Sequence, residues 1–267
     1  MKIGVCLKVV PSTASRIKVA DESSGVDTTD LKWEMNPYDA FALEEALIAK
    51  KNGNASEVIA FTIAGAQPEK ESIRKLRDAL ALGADRAVLL DDPAFAGSDS
   101  LGVARILAAA AKSEGVGLIF CGKQAVDGDN YQVPAMVAEI LGWPQIQTVD
   151  KFEWAGDKVR GWSPVGGGSR HVTEATLPAV ISTDKALNKP GFPKLIAIRK
   201  AKKKPLDTKG AGDIGLDAGS VGSAAAKVTV TRWFSPPARP AGRMIDGDAD
   251  SQVAELVRLL QEEAKVL

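Results

Sequence analysis

A polar segment with two glycines follows an apolar run near the middle of the chain. It reads CGKQAVDGDNYQVP and covers residues 121–134. Gly128 would let the backbone approach a ligand closely, because glycine has no Cβ. Asp127 and Asp129 could cap the next helix or accept a hydrogen bond from a ribose hydroxyl. A nucleotide site and an elaborate turn with a helix cap explain this segment equally well.

A second segment, MNPYDA, begins another helix. Asn36 has the residue type of a helix cap, and Pro37 suits the first helical position. The carboxyl ends of parallel strands meet at one edge of a sheet, where helix N-termini point backbone amides at phosphates. We therefore expect both segments at that edge, which favours a nucleotide ligand. The sequence has no P-loop pattern, which excludes a P-loop NTPase.

Short apolar runs alternate with segments of helical period, which is typical of βαβ units around a parallel sheet. The predicted strands are IGVCLKV (3–9), EVIAFTI (57–63), RAVLLD (86–91) and GLIFCG (117–122). The predicted helices cover residues 36–53, 69–83, 98–115 and 131–142. These elements predict an α/β domain with a doubly wound, mostly parallel sheet over residues 1–145.

The pattern changes after Trp143. Residues 146–235 are rich in β-forming runs, and turn residues at 155–157 and 166–168 predict hairpins laid against the first domain. A proline-containing loop, residues 187–204, ends in the basic cluster RKAKKK. Residues 236–267 comprise a proline-rich linker and an amphipathic helix, which we expect to pack on a partner protein.

Composition limits the classes of function. The chain has 34 basic and 34 acidic residues, so no net charge attracts it to nucleic acid or to an anionic membrane. The first apolar run is too short for a signal peptide, and we expect no membrane insertion. His171 is the one histidine, which argues against a histidine metal cluster, and we expect no metal and no catalytic residue. Two cysteines in apolar runs fit buried thiols and a reducing bacterial cytoplasm.

Four motifs in this order resemble the β subunit of electron transfer flavoprotein: MNPYDAFALEEAL, LRDALALGADRAVLL, CGKQAVDGDN and LNKPGFPKLIAIRKAKKK. The resemblance extends over nearly the whole chain. It implies an adenine-nucleotide-binding fold, AMP in this subunit, and an FAD held mainly by a larger α subunit of a heterodimer. The nucleotide contacts that it implies are Cys6, Asn36, Pro37, Tyr38, Asp39, Ile63, Lys123, Gln124, Ala125, Val126, Asp127, Gly128, Asp129, Asn130, Tyr131, Gln132, Val133 and Pro134.

The resemblance also implies partner proteins. Residues 187–204 correspond to the family's recognition loop, whose leucine, Leu195 here, enters an apolar pocket on partner dehydrogenases. Lys200, Lys202 and Lys203 would assist this docking. Electrons would pass from flavin dehydrogenases of the acyl-CoA dehydrogenase type, in fatty acid oxidation, to an electron transfer flavoprotein–quinone oxidoreductase.

Two features depart from the AMP-binding pattern. Family members that carry only AMP often end the phosphate loop in Thr-Gly, whereas this chain has Val133 and Pro134. The strings DDPAFAGSDSLG and DGD resemble the electron-bifurcating branch, in which a second FAD replaces AMP and NADH is the donor. Three hypotheses therefore stay open: an electron carrier, a bifurcating oxidoreductase, and a nucleotide-binding regulatory protein without a redox task.

Overall fold

The structure is a computed structural model that describes residues 1–21, 25–65, 67–239 and 241–267. Its strands are β1 (Lys2–Cys6), β2 (Val9–Pro11), β3 (Val19–Asp21), β4 (Gly25–Val26), β5 (Trp33–Met35), β6 (Glu57–Ile63), β7 (Arg86–Leu90), β8 (Val116–Gly122), β9 (Gln145–Val149), β10 (Lys151–Ala155), β11 (Lys158–Gly166), β12 (Ser169–Thr176), β13 (Ala179–Thr183) and β14 (Leu206–Lys209). Its α-helices are α1 (Pro37–Lys51), α2 (Glu69–Leu82), α3 (Ser100–Ser113), α4 (Val133–Leu141), α5 (Leu195–Ala201), α6 (Gly222–Ala225) and α7 (Ala249–Glu262).

A seven-stranded parallel sheet forms the centre, in the order β14-β7-β6-β1-β8-β13-β9. From β1 the chain proceeds outward through β6 and β7, then crosses to β8 on the other side of β1. This reversal is the switch point beside which open α/β sheets bind ligands. Helices α1 and α2 bury Leu43 and Leu76 on one face, and α3 and α4 bury Ile106 and Val137 on the other. The predicted doubly wound α/β fold is confirmed.

The predicted strand at residues 3–9 is too long. β1 ends at Cys6, and Val9 belongs to β2, which pairs antiparallel with β5. The chain leaves the sheet because the residue after Leu7 has other partners. The amide of Lys8 donates to Asp39 at 2.6 Å, and its carbonyl accepts from the amide of Asn36 at 2.8 Å.

The predicted hairpins are present as the antiparallel sheet β10-β11-β12, with turns at the glycines that the sequence indicates. This sheet packs closely on the central one at Gly161, where a Cβ would lie 2.9 Å from side-chain atoms of Ile146 and Val149. Phe152 adds an edge-to-face contact with Phe120, with 5.3 Å between ring centroids. Strands β9, β13 and β14 join the same sheet as β1, although they lie late in the chain.

The chain divides into two compact units, Met1–Trp233 and Phe234–Leu267. The second unit contains α7, which begins where Asp248 accepts a hydrogen bond from the amide of Ser251 at 2.8 Å. None of the α7 residues is buried, and Val253 and Leu256 are exposed. The division into segments 1–145, 146–235 and 236–267 stays a prediction.

Candidate functional site

One buried carboxylate connects the ends of two central strands. Asp39 lies in the first turn of α1. Its Oδ2 accepts a hydrogen bond from the amide of Lys8, just beyond β1, at 2.6 Å. Its Oδ1 accepts from the amide of Gly122, the last residue of β8, at 3.1 Å. The carboxylate therefore fixes the two edges of the crevice at the switch point.

Burial raises the pKa of Asp39 to about 7, even though hydrogen bonds from Lys8, Asn36 and Gly122 act in the opposite direction. A buried carboxyl group that titrates near neutral pH makes this junction sensitive to pH.

Asn36 holds the polar loop of residues 123–132. Its Nδ2 donates to the carbonyl of Gln124 and to Oδ1 of Asp39, both at 2.8 Å, and its Oδ1 accepts from the amide of Val126 at 3.2 Å. Asn36 occupies the cap position of α1, but its side chain makes no capping hydrogen bond there. The prediction that α1 opens with Asn36 as its cap residue is confirmed, but the side chain bonds to the loop and not to the first turn of the helix. Pro37 in the first turn is confirmed.

Gly122 is essential for close contact between α1 and β8. A Cβ on this residue would lie 2.3 Å from Oδ1 of Asp39 and 2.7 Å from Cβ of Tyr38. Gly128 is the glycine that the sequence pattern indicates, and the role of Gly122 was not predicted. A glycine that ends a buried strand is the signal that could have identified it.

The lysines around the loop are already paired with carboxylates. Nζ of Lys8 lies 2.7 Å from Asp127, and Nζ of Lys123 lies 3.0 Å from Asp184. Lys123 also lies over the ring of Tyr38, with 5.1 Å from Nζ to the ring centroid. The roles of Lys8 and Asp184 were missed, because each pairs with a residue distant in sequence.

The two loop aspartates do not cap α4, so that prediction is wrong. Asp127 pairs with Lys8, and Asp129 accepts a hydrogen bond from Nε2 of Gln124. Helix α4 begins at Val133, not at Tyr131 as predicted. Asp129 and Tyr131 have φ values of 49° and 58°, in the left-handed region, and a right-handed helix cannot include them.

The remaining predicted contacts lie around this crevice. Cys6 ends β1 and Ile63 ends β6, and both are half-buried. Pro134 is buried in the first turn of α4. The other members of the set divide into half-buried residues (Tyr38, Gln124, Ala125, Val126 and Val133) and exposed ones (Gly128, Asn130 and Gln132).

The predicted recognition loop contains the short helix α5. Three apolar residues of this loop are highly exposed. The exposed fraction is 92% for Phe192, 80% for Leu195 and 70% for Ile196. Lys200, Lys202 and Lys203 are exposed beside them.

Lys204 differs from the other lysines of its cluster. Its Nζ donates to the carbonyls of Leu80 and Ala84 at 2.9 and 2.6 Å, at the end of α2. Arg77 of α2 donates in turn to the carbonyl of Ala201 at 2.8 Å. Lys204 therefore attaches the segment that contains α5 to α2.

Two other patterns have no ligand-binding geometry. The string GAGDIG, residues 210–215, matches a dinucleotide fingerprint, but it follows edge strand β14 and forms a single 3-10 turn. It therefore lacks the strand–turn–helix context that the fingerprint needs. His171 is exposed on β12, as expected for a hairpin residue.

Within the described ranges, acidic, histidine and cysteine side chains form no cluster suited to a metal, and no helix is long and apolar enough to span a membrane.

Comparison with known proteins shows which chains this protein resembles. The family model described as "Electron transfer flavoprotein domain" matches residues 24–213. The chain is 38% identical to electron transfer flavoprotein subunit beta of Bradyrhizobium diazoefficiens, over 100% of both chains. It is 38% identical to the mitochondrial electron transfer flavoprotein subunit beta of Arabidopsis thaliana over 100% of both chains. It is 34% identical to electron transfer flavoprotein subunit beta of Bacillus subtilis, again over 100% of both chains.

The α/β fold and the full-length similarity to these subunits place the chain in a class of electron-transfer proteins. The chain belongs to the electron transfer flavoprotein β subunit family. The resemblance inferred from its four motifs is confirmed.

Proposed function

We propose that this chain is the β subunit of a heterodimeric electron transfer flavoprotein. It binds AMP in a structural role, while an α subunit holds most of the FAD. The dimer carries electrons from flavin dehydrogenases of the acyl-CoA dehydrogenase type to a quinone oxidoreductase. In this role the chain is an electron carrier without catalytic residues of its own.

The observation that supports the nucleotide most strongly is the polar loop at the switch point. Asn36 and Asp39 hold residues 123–132 against the ends of β1 and β8. Oε1 of Gln124 is buried there without a hydrogen-bond partner. A buried acceptor without a partner is costly, so a ligand hydroxyl or amino group would stabilise it.

Backbone amides are the best candidates to hold the phosphate. Lys8 and Lys123 are paired with Asp127 and Asp184, which reduces their charge toward a ligand. The first turn of α4 has no side-chain cap, so its amides remain for an anion. Pro134 lacks an amide hydrogen, which leaves this turn with one donor fewer than a Thr-Gly loop would have.

AMP is the occupant that we propose, because the segment resembling the bifurcating branch has a structural use. Asp92 accepts hydrogen bonds from the amides of Ala94 and Ala211, both at 2.9 Å. Asp99 accepts from the amides of Gly102 at 2.9 Å and Lys227 at 2.6 Å. These bonds give Asp92 and Asp99 structural roles that need no second flavin.

The exposed apolar residues of the recognition segment, 187–204, support docking of the dehydrogenase. A protein in water stabilises such residues by burying them in a partner. Lys200, Lys202 and Lys203 would attract an acidic rim around that pocket. The N-terminal half of the segment is fixed to α1, because the amide of Gly191 donates to Glu44 at 3.2 Å.

Cofactor content tests this proposal. The complex is purified with its α subunit, and flavin and nucleotide are extracted with acid and separated by chromatography. We expect one FAD and one AMP per heterodimer. Two FAD without AMP would support the bifurcating alternative instead, and AMP without flavin would support a regulatory protein. The cytoplasmic location stays a prediction, since some relatives are named as mitochondrial.

A further inference from the structure

Two cysteines lie next to each other at the switch point. Cys6 of β1 and Cys121 of β8 are register partners in the parallel pairing of these strands. Adjacent strands lie about 4.8 Å apart, and disulfides join residues whose Cα atoms are about 4.4–6.8 Å apart. Both side chains belong to the face that packs against α3 and α4. Both thiols are free.

The two thiols differ in access to solvent. Cys121 is 4% exposed, whereas Cys6 is half-buried. The hydrogen bond with Cys6, together with burial, raises the pKa of Cys121 well above its usual value. Because Cys6 is the more accessible thiol, a small oxidant would react there first, and Cys121, its neighbour across the two strands, would react afterwards as the resolving thiol.

The thiol pair spans the same junction as Asp39. The carboxylate joins the amides of Lys8 and Gly122 from the α1 side of the sheet. Cys6 lies two residues before Lys8, and Cys121 lies directly before Gly122. A bond between the sulfurs would thus connect covalently the two strand ends that Asp39 connects by hydrogen bonds.

We propose that Cys6 and Cys121 form a peroxide-sensitive dithiol that converts to a disulfide across β1 and β8. The Cys6 thiol attacks hydrogen peroxide, giving a sulfenic acid and one water. The sulfur of Cys121 then displaces the hydroxyl group from Cys6, and a second water leaves. In total two thiols lose two electrons and two protons, and peroxide is reduced to two waters. The disulfide restrains the junction and slows opening of the loop that Asp39 and Asn36 hold.

Peptide mapping of the complete heterodimer tests this inference. The protein is treated with hydrogen peroxide, alkylated under denaturing conditions and digested. We expect a linked pair of peptides containing Cys6 and Cys121, which dithiothreitol separates. A sulfinic acid on Cys6 with Cys121 still open to alkylation would overturn the proposal, as would two unreacted thiols at a dose that oxidises exposed methionine.

Two variants serve as controls. The peptide map of the native heterodimer by itself tests whether the disulfide forms. In Cys6→Ser, Cys121 should stay a thiol, because its access to peroxide is blocked. In Cys121→Ala, Cys6 should stop at the sulfenic acid, which dimedone traps. Hydrogen exchange gives an independent readout: the amides of Lys8 and Gly122 should exchange more slowly after oxidation, and unchanged exchange would refute the restraint on the loop.

Discussion

Asp39 is a buried titratable residue whose pKa links the stability of the protein to pH. The pKa of its carboxyl rises from 3.8 to about 7 on folding, mainly through burial. The folded state therefore keeps a proton that the unfolded chain releases, and this favours folding below about pH 4. The contribution is lost as the pH rises through about 7. A shift of this size corresponds to at most about 4 kcal/mol.

An Asp39→Asn variant checks this sign. Asparagine does not titrate. The free energy of unfolding of the native chain minus that of the variant should therefore fall from about pH 4 to about pH 7. Urea denaturation at intervals across this range measures the difference. A difference that stays constant or rises with pH would show that folding does not raise the pKa of the Asp39 carboxyl group.

Gly122 at the end of β8 and Gly128 in the loop should respond differently to substitution. In Gly122→Ala the new Cβ meets Asp39 and Tyr38, and we expect a loss of about 1–3 kcal/mol in stability. In Gly128→Val there is room within the chain, since the nearest atom to a Cβ is 3.7 Å away on Asn130. This variant should keep the native melting temperature but bind less AMP, because the branched side chain blocks the ligand. Full AMP content in Gly128→Val would count against backbone contact at this position.

At the scale of elements, α5 carries part of the proposed docking surface and α2 supports α5. Leu195→Ala should raise the apparent KM for a partner dehydrogenase without changing stability, since Leu195 is exposed and its burial in a pocket is worth about 1.5–3 kcal/mol. Lys204→Met should raise the same KM by another route, because it removes the two hydrogen bonds from Nζ to the end of α2 and so loosens α5. Steady-state kinetics combined with limited proteolysis separates the two: only Lys204→Met should become sensitive to protease within the recognition segment.

Exposed lysines provide the matched control for Lys204. Charge reversal at Lys202 or Lys203 should flatten the dependence of the reduction rate on ionic strength, while protease resistance stays native. Normal kinetics in all of these variants would mean that the recognition segment is only a solvated loop.

Sequence patterns predicted the elements well where burial or a terminal glycine dictates them. β6 has the predicted bounds because its residues lie in the centre of the sheet, and α2 ends before Gly83 as expected. The start of α4 was not predictable, because the left-handed backbone at Asp129 and Tyr131 is not encoded by local propensity. Lys204 could not be distinguished from its neighbours, since its role depends on where α2 ends.

The site was predictable in location but only partly in chemistry. The motifs identified both segments that meet at the crevice. Their internal partners depend on tertiary contacts: Lys8 and Asp127 lie 119 residues apart, and Lys123 and Asp184 lie 61 apart. No local pattern signals such pairs.

At the scale of the whole molecule, the second unit, Phe234–Leu267, leaves apolar side chains of its helix α7 exposed. Val253, Leu256 and Val257 are exposed on α7. Deleting residues 251–267 should therefore weaken the heterodimer and loosen the flavin held by the α subunit. Gel filtration with flavin absorbance measures both effects. Leu256→Ser should act in the same direction, whereas the polar control Glu262→Gln should not, and a truncated chain that co-elutes at full flavin content would contradict this role.

Flavin reduction in the intact heterodimer tests the central claim most directly. The complex is mixed anaerobically in a stopped-flow instrument, either with an acyl-CoA dehydrogenase and its substrate or with NADH alone. If the chain belongs to an electron carrier, flavin absorbance should fall when the dehydrogenase and its substrate are added. It should stay unchanged when NADH alone is added. Rapid reduction by NADH without a dehydrogenase, or no reduction by any flavin dehydrogenase, would contradict the account.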